Sequence, residues 1–354
     1  MDAVDTARRS LVGMRSLSLL LALAVAVSGC ARFDDRLEDP FTPAPGPGMG
    51  AAPPPDAPSA PSPPPTSRTG ESDPPPETGP CVDPDPAVIA TCLDPAVAVA
   101  ALGERALAAS STGTVWIVSP DAQPEEFGRV APGAGRVTAV APSPDFAQDR
   151  LVYLLVVGDG PTRVERLARG DAPRTVAELT PADTGGLAFV NDVLTVGAGS
   201  DIVRFPGFTG IGRAEDPEVI GRDLGRIQAL CPLGDDIYLS TVTDRGAVIR
   251  TPDRTVWTWP DQRSAGGCAA SEGALAIALP DAERVDTLTT AGGAARGQPE
   301  ALAEGRYGRL SGLTVVGEGV LLAGTANKVG GSPGPTDDRA VILPQSGGGG
   351  DART

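Results

Sequence analysis

Residues 227–241 read IQALCPLGDDIYLST: a short run of small and apolar residues, a turn of Gly and Asp, then a stronger apolar run. One such pair is only a hairpin. The same order recurs in VAVAALGERALAAS (97–110), VTAVAPSPDF with RLVYLLV (137–156), GLAFVNDVLTVGAG (186–199), GCAASEGALAIAL (267–279) and LSGLTVVGEGVLLAGT (310–325). The starts lie 40, 49, 41, 40 and 43 residues apart. After each pair come two further strand-like runs, as AVIRT (247–251) and TVWTWP (255–260) do in the unit at 227. Four short strands every 40 to 50 residues is the pattern of a β-propeller blade. Six units predict six blades, with innermost strands of Ala, Gly and small aliphatics because the central channel is crowded. A β-sandwich could be built from similar strands but would not need this period. No run carries a long 3.6-residue periodicity, so helices should be rare. The expected fold is all-β, a six-bladed propeller over residues 81–345 followed by a disordered Gly-rich tail at 346–354.

Composition removes several functions. Lys plus Arg is 29 and Asp plus Glu is 45, a net charge of −16, and a chain this acidic repels phosphate backbones. Nucleic acid is not an expected partner. The 354 residues contain no histidine, which excludes Ser-His-Asp and Cys-His catalysis, histidine bases and zinc sites built on imidazole. Hydrophobic residues make up 41% of the chain, enough for a packed domain.

The N-terminus reads as a secretion signal over residues 1–29. Arg8, Arg9 and Arg15 form its basic region, and Leu17 to Val27 is an uncharged apolar run. That run falls short of the roughly 20 residues a transmembrane helix needs. It ends in Val27-Ser28-Gly29-Cys30, which resembles the bacterial lipobox. Lipidation of Cys30 with several acyl chains would anchor the protein stably to the outside of a membrane. The alternative is an ordinary signal peptide with a chance cysteine. Residues 30–80 then form the lipidated cysteine and a linker, with 16 prolines in the 41 residues from 40 to 80. Such a segment buries too little apolar surface to fold and should act as an extended tether.

Four cysteines remain, Cys81, Cys92, Cys231 and Cys268, and they allow three pairings. None has CxxC spacing, so structural staples are expected rather than redox or metal chemistry. The pairing expected is Cys81–Cys92, closing a short loop at the domain's N-terminal edge, with Cys231–Cys268.

SGCARFDD (28–35), CLD (92–94), SPDFAQDRLVY (143–153), TGGLAF (184–189) and VWTWPDQRSAGGCAA (256–270) resemble the actinobacterial LppZ-type lipoproteins over almost the whole chain. That group is similar in turn to the soluble glucose/sorbosone dehydrogenases. Those are six-bladed propellers that hold pyrroloquinoline quinone (PQQ) and calcium over the central channel. The resemblance implies a site at Ala182-Asp183-Thr184-Gly185-Gly186-Leu187, which matches the family's His-Asn-Gly-Gly-like stretch. There a histidine removes the substrate hydroxyl proton as hydride passes to the quinone. Here the histidine is absent. Asp183 is the one candidate substitute, and an aspartate, ordinarily with a pKa near 3.9, is poorly matched to a sugar hydroxyl. The family also sets cationic side chains against the quinone carboxylates, but no arginine can be assigned to the channel from sequence.

Other constellations are weaker. Gly207-Phe208-Thr209-Gly210-Ile211-Gly212 has the wrong order for a dinucleotide loop and reads as a propeller loop. The only lysine, Lys328, is followed by Val329, so no P-loop exists. The pairs Asp235-Asp236 and Asp337-Asp338 have calcium-type ligands but are expected to be solvated turn carboxylates. Trp257 and Trp259 share a strand face, either to stack on a sugar or to pack between blades. A carboxylate-pair glycosidase needs no histidine, yet no pair of acids stands out.

Two function classes stay open. The expectation is an envelope lipoprotein that binds a ligand, glycan or protein partner on a propeller face, without catalysis, cofactor or metal. The alternative is a PQQ- and calcium-dependent aldose or sorbosone dehydrogenase with an altered base.

Overall fold

Strand β1 (Val88–Ala90) is three residues long and pairs with the far end of the chain, β24 (Ala340–Pro344), through Val88↔Val341 and Ala90↔Ala340. This pairing closes a ring. The computed structural model describes residues 81–120, 122–131, 133 and 135–345. The expected signal peptide (1–29), the expected lipidation site Cys30, the expected linker to residue 80 and the expected tail 346–354 lie outside the described residues. No helix among the described residues is long and apolar enough to cross a membrane.

Strands β1 to β24, numbered in chain order, form six four-stranded antiparallel sheets. The innermost strand of each is β2 (Ala96–Leu102), β6 (Arg136–Pro142), β10 (Gly185–Val190), β14 (Arg226–Leu233), β18 (Cys268–Ser271) and β22 (Leu310–Gly317). These begin within one residue of the repeat starts read from sequence, and the protein is a six-bladed propeller. The sixth unit departs from its repeat. It supplies only β22, β23 (Val320–Thr325) and β24, and its outermost strand is β1 from the other end of the chain.

Burial follows from this stacking. Each inner strand is covered by blades on both sides, so β7 (Leu151–Val157, LVYLLVV) is buried almost throughout and reads as a continuous apolar run. The outer strand β5 (Ala122–Arg129) is mostly exposed and carries Pro124, tolerated where one edge of the strand is unpaired. A separate apolar cluster fills each of the six blade junctions. Between the second and third blades Tyr153 meets Phe189 and Phe208 edge-on, with centroids 5.1 and 5.8 Å apart. Trp259 belongs to the junction of the fourth and fifth, where its Nε1–H donates to Asp286 at 2.6 Å. Trp257 packs against the same cluster. The tryptophan pair is therefore interblade packing and does not form a sugar platform.

Disulfides join Cys81 to Cys92 and Cys231 to Cys268, with Cα atoms 5.3 and 5.8 Å apart, inside the usual range. The second links innermost strands of adjacent blades. The first sits beside the ring closure, where the N-terminal segment is tied to the sixth blade. Leu93 and Asp338 exchange backbone hydrogen bonds, Tyr307 donates to Asp85 at 2.8 Å, and Arg339 pairs with Asp83 at 3.2 Å.

One expectation is corrected. Asp337 and Asp338 are not solvated but buried, Asp338 completely. Asp338 accepts the Asn327 backbone N–H at 2.5 Å, and Asp337 pairs with Arg339 at 2.9 Å and accepts from Asn327 Nδ2 at 2.9 Å. Burial raises the Asp338 carboxyl above its ordinary range. The pair staples the loop between β23 and β24.

Candidate functional site

The six innermost strands all cross the disc in one direction, so their starts ring one face, the front, and their ends ring the other, the rear. Each hydrogen-bonds to only one neighbour, which leaves an unpaired edge toward the central channel. The channel is closed in its middle. Val99, Val140, Leu187, Leu230, Cys268 and Leu313, one from each blade, are all buried there. The space beside them, lined also by Ala98, Thr138, Gly186, Ala229, Gly267 and Gly312, is about 50 Å³, room for a water or two. Glycine is required at this level. A Cβ on Gly186 would lie 2.6 Å from Leu230 N, and one on Gly267 would lie 2.4 Å from Leu313 N.

The front face carries the residues implied by the family resemblance. Asp183 stands two residues before β10, and its side chain is 70% exposed. Two arginines flank it. Arg136, first residue of β6, donates from its guanidinium to the Asp183 carbonyl oxygen at 2.5 Å. Arg226, first residue of β14, holds its guanidinium 3.8 Å from the Asp183 carboxylate. A third, Arg309, precedes β22 and pairs with Asp281 at 2.6 Å. Each follows a glycine with positive φ, Gly135, Gly225 and Gly308, which lets the chain turn tightly into the strand. A cavity of about 710 Å³ opens at the front of the second blade and the connection leaving it, lined by Arg136, Asp159, Arg163 and Asp183. Arg163 pairs with Glu165 at 3.2 Å. Chemically this is a polar, open basin lined by guanidinium and carboxylate groups.

The remaining sequence candidates fall elsewhere. Asp235, in the turn before β15 (Asp236–Thr243), and Asp236, the first residue of that strand, are exposed on the rear face, where Asp235 accepts from Asn191 at 2.7 Å. Phe208 and Gly210 belong to an outer loop, with the Gly210 carbonyl held by the Tyr153 hydroxyl at 2.9 Å. Lys328 donates to the Leu93 carbonyl at 2.6 Å and serves the ring closure. Among the described residues, no group of three or more Cys, Asp or Glu is placed to hold a metal ion. The front-face arginines were missed in the sequence, although a Gly-Arg pair stands at the start of the second, fourth and sixth units.

No protein-family model matches the chain, and no curated protein matches it. Solved structures do. The PQQ-bound aldose sugar dehydrogenase of Streptomyces coelicolor superposes with a TM-score of 0.62 at 24% identity, covering 73% of this chain and 96% of that one. A putative oxidoreductase (glucose dehydrogenase) of Thermus thermophilus gives 0.60 at 22% identity, covering 72% and 98%. The soluble aldose sugar dehydrogenase of Escherichia coli, in its apo form, gives 0.57 at 17% identity, covering 73% and 99%. The fold is that of a sugar-dehydrogenase-like propeller.

Proposed function

We propose that the chain is an envelope-anchored lipoprotein of the LppZ type whose dehydrogenase-like propeller acts by binding a ligand, glycan or protein partner and does not oxidise a sugar. The observation that carries this reading is the setting of Asp183. Hydride abstraction needs concerted removal of a hydroxyl proton, and a positioned base contributes about a hundred- to ten-thousand-fold in rate. The chain holds no histidine, and Asp183, the candidate substitute, is mostly exposed and faces Arg226. Nothing around it supplies the desolvated pocket that makes a carboxylate a strong base.

On this reading the front face carries no PQQ and calcium, and the state of its charged side chains is consistent with that. In the ligand-free chain Arg136 meets the Asp183 carbonyl, Arg226 lies 3.8 Å from the Asp183 carboxylate and Arg309 pairs with Asp281. Among the described residues, no three Asp, Glu or Cys side chains come together as a metal-ligand group. Sequence supports the anchor: lipobox at Cys30, then the proline-rich tether. The two disulfides fit an extracytoplasmic, oxidising setting. Titrating PQQ into the full chain with calcium, followed by the quinone absorption band, tests the reading. No saturable uptake is expected, and stoichiometric uptake would favour the dehydrogenase alternative.

A further inference from the structure

The rear face holds a second concavity, unrelated to the basin at Asp183. The ends of the innermost strands form a cup of about 460 Å³ that touches all six blades. This is within the volume range of ligand sites. Its floor is the apolar plug that closes the channel, Val99, Val140, Leu187, Leu230, Cys268 and Leu313. Its wall adds Phe189, Pro142, Pro232 and Val315, together with the unpaired backbone edges of the six strands. The cup therefore offers apolar contact at the bottom and backbone N–H and C=O groups around the side.

The rim has a charge. In every blade the turn that leaves the innermost strand carries an exposed carboxylate: Glu104, Asp145, Asp192, Asp235, Glu272 and Glu318. Asp149 and Asp236 bring the acids in these turns to eight, against Arg105 and Arg150, for a net −6. The Arg150 guanidinium lies 5.7 Å from the Phe146 ring centroid, on the short helix of the second turn. A hollow with an apolar floor inside a net-acidic ring of turns attracts ligands of positive charge. Free strand edges suit an occupant with a peptide backbone of its own.

We propose that this cup is a docking site for a basic protein segment, a loop or terminus that seats an apolar side chain on the plug while its Arg or Lys residues meet the acidic turns. Specificity would come from the cup, and the rim would mainly speed association and make it salt-dependent. The site lies on the face opposite Asp183, so its test is independent of the dehydrogenase question.

The test is fluorescence anisotropy with the full chain and a labelled hexapeptide, Arg-Arg-Leu-Leu-Arg-Arg. Two controls accompany it, Arg-Arg-Ser-Ser-Arg-Arg and Glu-Glu-Leu-Leu-Glu-Glu. The expected result is saturable binding of the first peptide that weakens about tenfold in the Asp192→Asn, Glu272→Gln, Glu318→Gln triple variant, since three exposed ion pairs are lost together. The front-face variant Asp159→Asn should bind like the parent. The serine peptide should bind at least about tenfold more weakly, because it cannot bury apolar area in the cup. Absence of saturable binding, equal binding by the triple variant, or equal binding of the serine or acidic peptide would each overturn the proposal. The three substituted side chains are exposed in turns, so loss of fold does not confuse the result.

Discussion

Replacing Gly186 by alanine tests how tightly the channel is closed. The added Cβ would lie 2.6 Å from Leu230 N, 2.7 Å from Ala229 C and 2.9 Å from Ala229 Cα. Carbon contacts normally settle at about 3.5–4.0 Å. All three atoms are backbone, held in register by the pairings Ala229↔Ser240 and Leu230↔Leu239, so no rotamer can swing away. Relief requires the third and fourth blades to separate by roughly 1 Å at their innermost edge. Overpacking of this kind costs about 1–3 kcal/mol, and backbone on backbone belongs at the upper end. Alanine also narrows the unfolded ensemble, which returns about 0.4–1 kcal/mol. The net loss is then about 2–2.5 kcal/mol. At about 2–4 °C per kcal/mol for a domain of this size, Tm should fall by about 4–10 °C. The assay is thermal unfolding followed by far-UV circular dichroism, with Gly207→Ala as control. A Cβ on Gly207 meets nothing within 4 Å, and that variant should melt within a degree or two of the parent or slightly above it. If Gly186→Ala melts with the control, the innermost strands do not approach as described and the closed channel is wrong.

Three further outcomes are expected. Non-reducing peptide mapping should recover Cys81 linked to Cys92 and Cys231 linked to Cys268, and loss of either bridge should lower stability by about 2–5 kcal/mol. Cys30→Ser should move the protein from the membrane to the soluble fraction, because the lipid is the anchor proposed for it. Burial pushes Tyr153 and Tyr307 up to about 12, aided at Tyr153 by Asp149 and at Tyr307 by the hydrogen bond to Asp85. Their unfolded hydroxyls ionise near 10, so this stability is intact below pH 10 and is lost as pH rises from 10 through 12, on the order of 2–3 kcal/mol for each. Urea midpoints measured between pH 9 and 12 should show the fall, and Tyr153→Phe should reduce it.

The blades were legible in the sequence because each hairpin repeats a local grammar, an apolar strand, an acidic or Gly turn and a stronger strand. The ring closure was not. Val88–Ala90 is three residues long and owes its strand state to pairing with Val341 and Ala340, some 250 residues away. Asp337 and Asp338 misled for the same reason. Adjacent acids after a Gly-Pro-rich stretch look like a solvated turn, and only Asn327 and Arg339, brought in by tertiary packing, make burial tolerable. At the front face the matching stretch pointed to Asp183, while its exposure and its arginine neighbours depend on where three blades begin. The rear cup left a faint trace: at least one acid in every inner turn has no meaning until six turns meet around a channel.

The propeller has a sugar-dehydrogenase-like fold, and we propose that it does not carry out the reaction. The direct measurement is dye reduction by the full chain incubated with PQQ, calcium and a panel of aldoses. The expected rate is indistinguishable from the protein-free blank, for the parent and for Asp183→Asn alike. Robust aldose oxidation by the parent that disappears in Asp183→Asn would contradict it and make Asp183 the base.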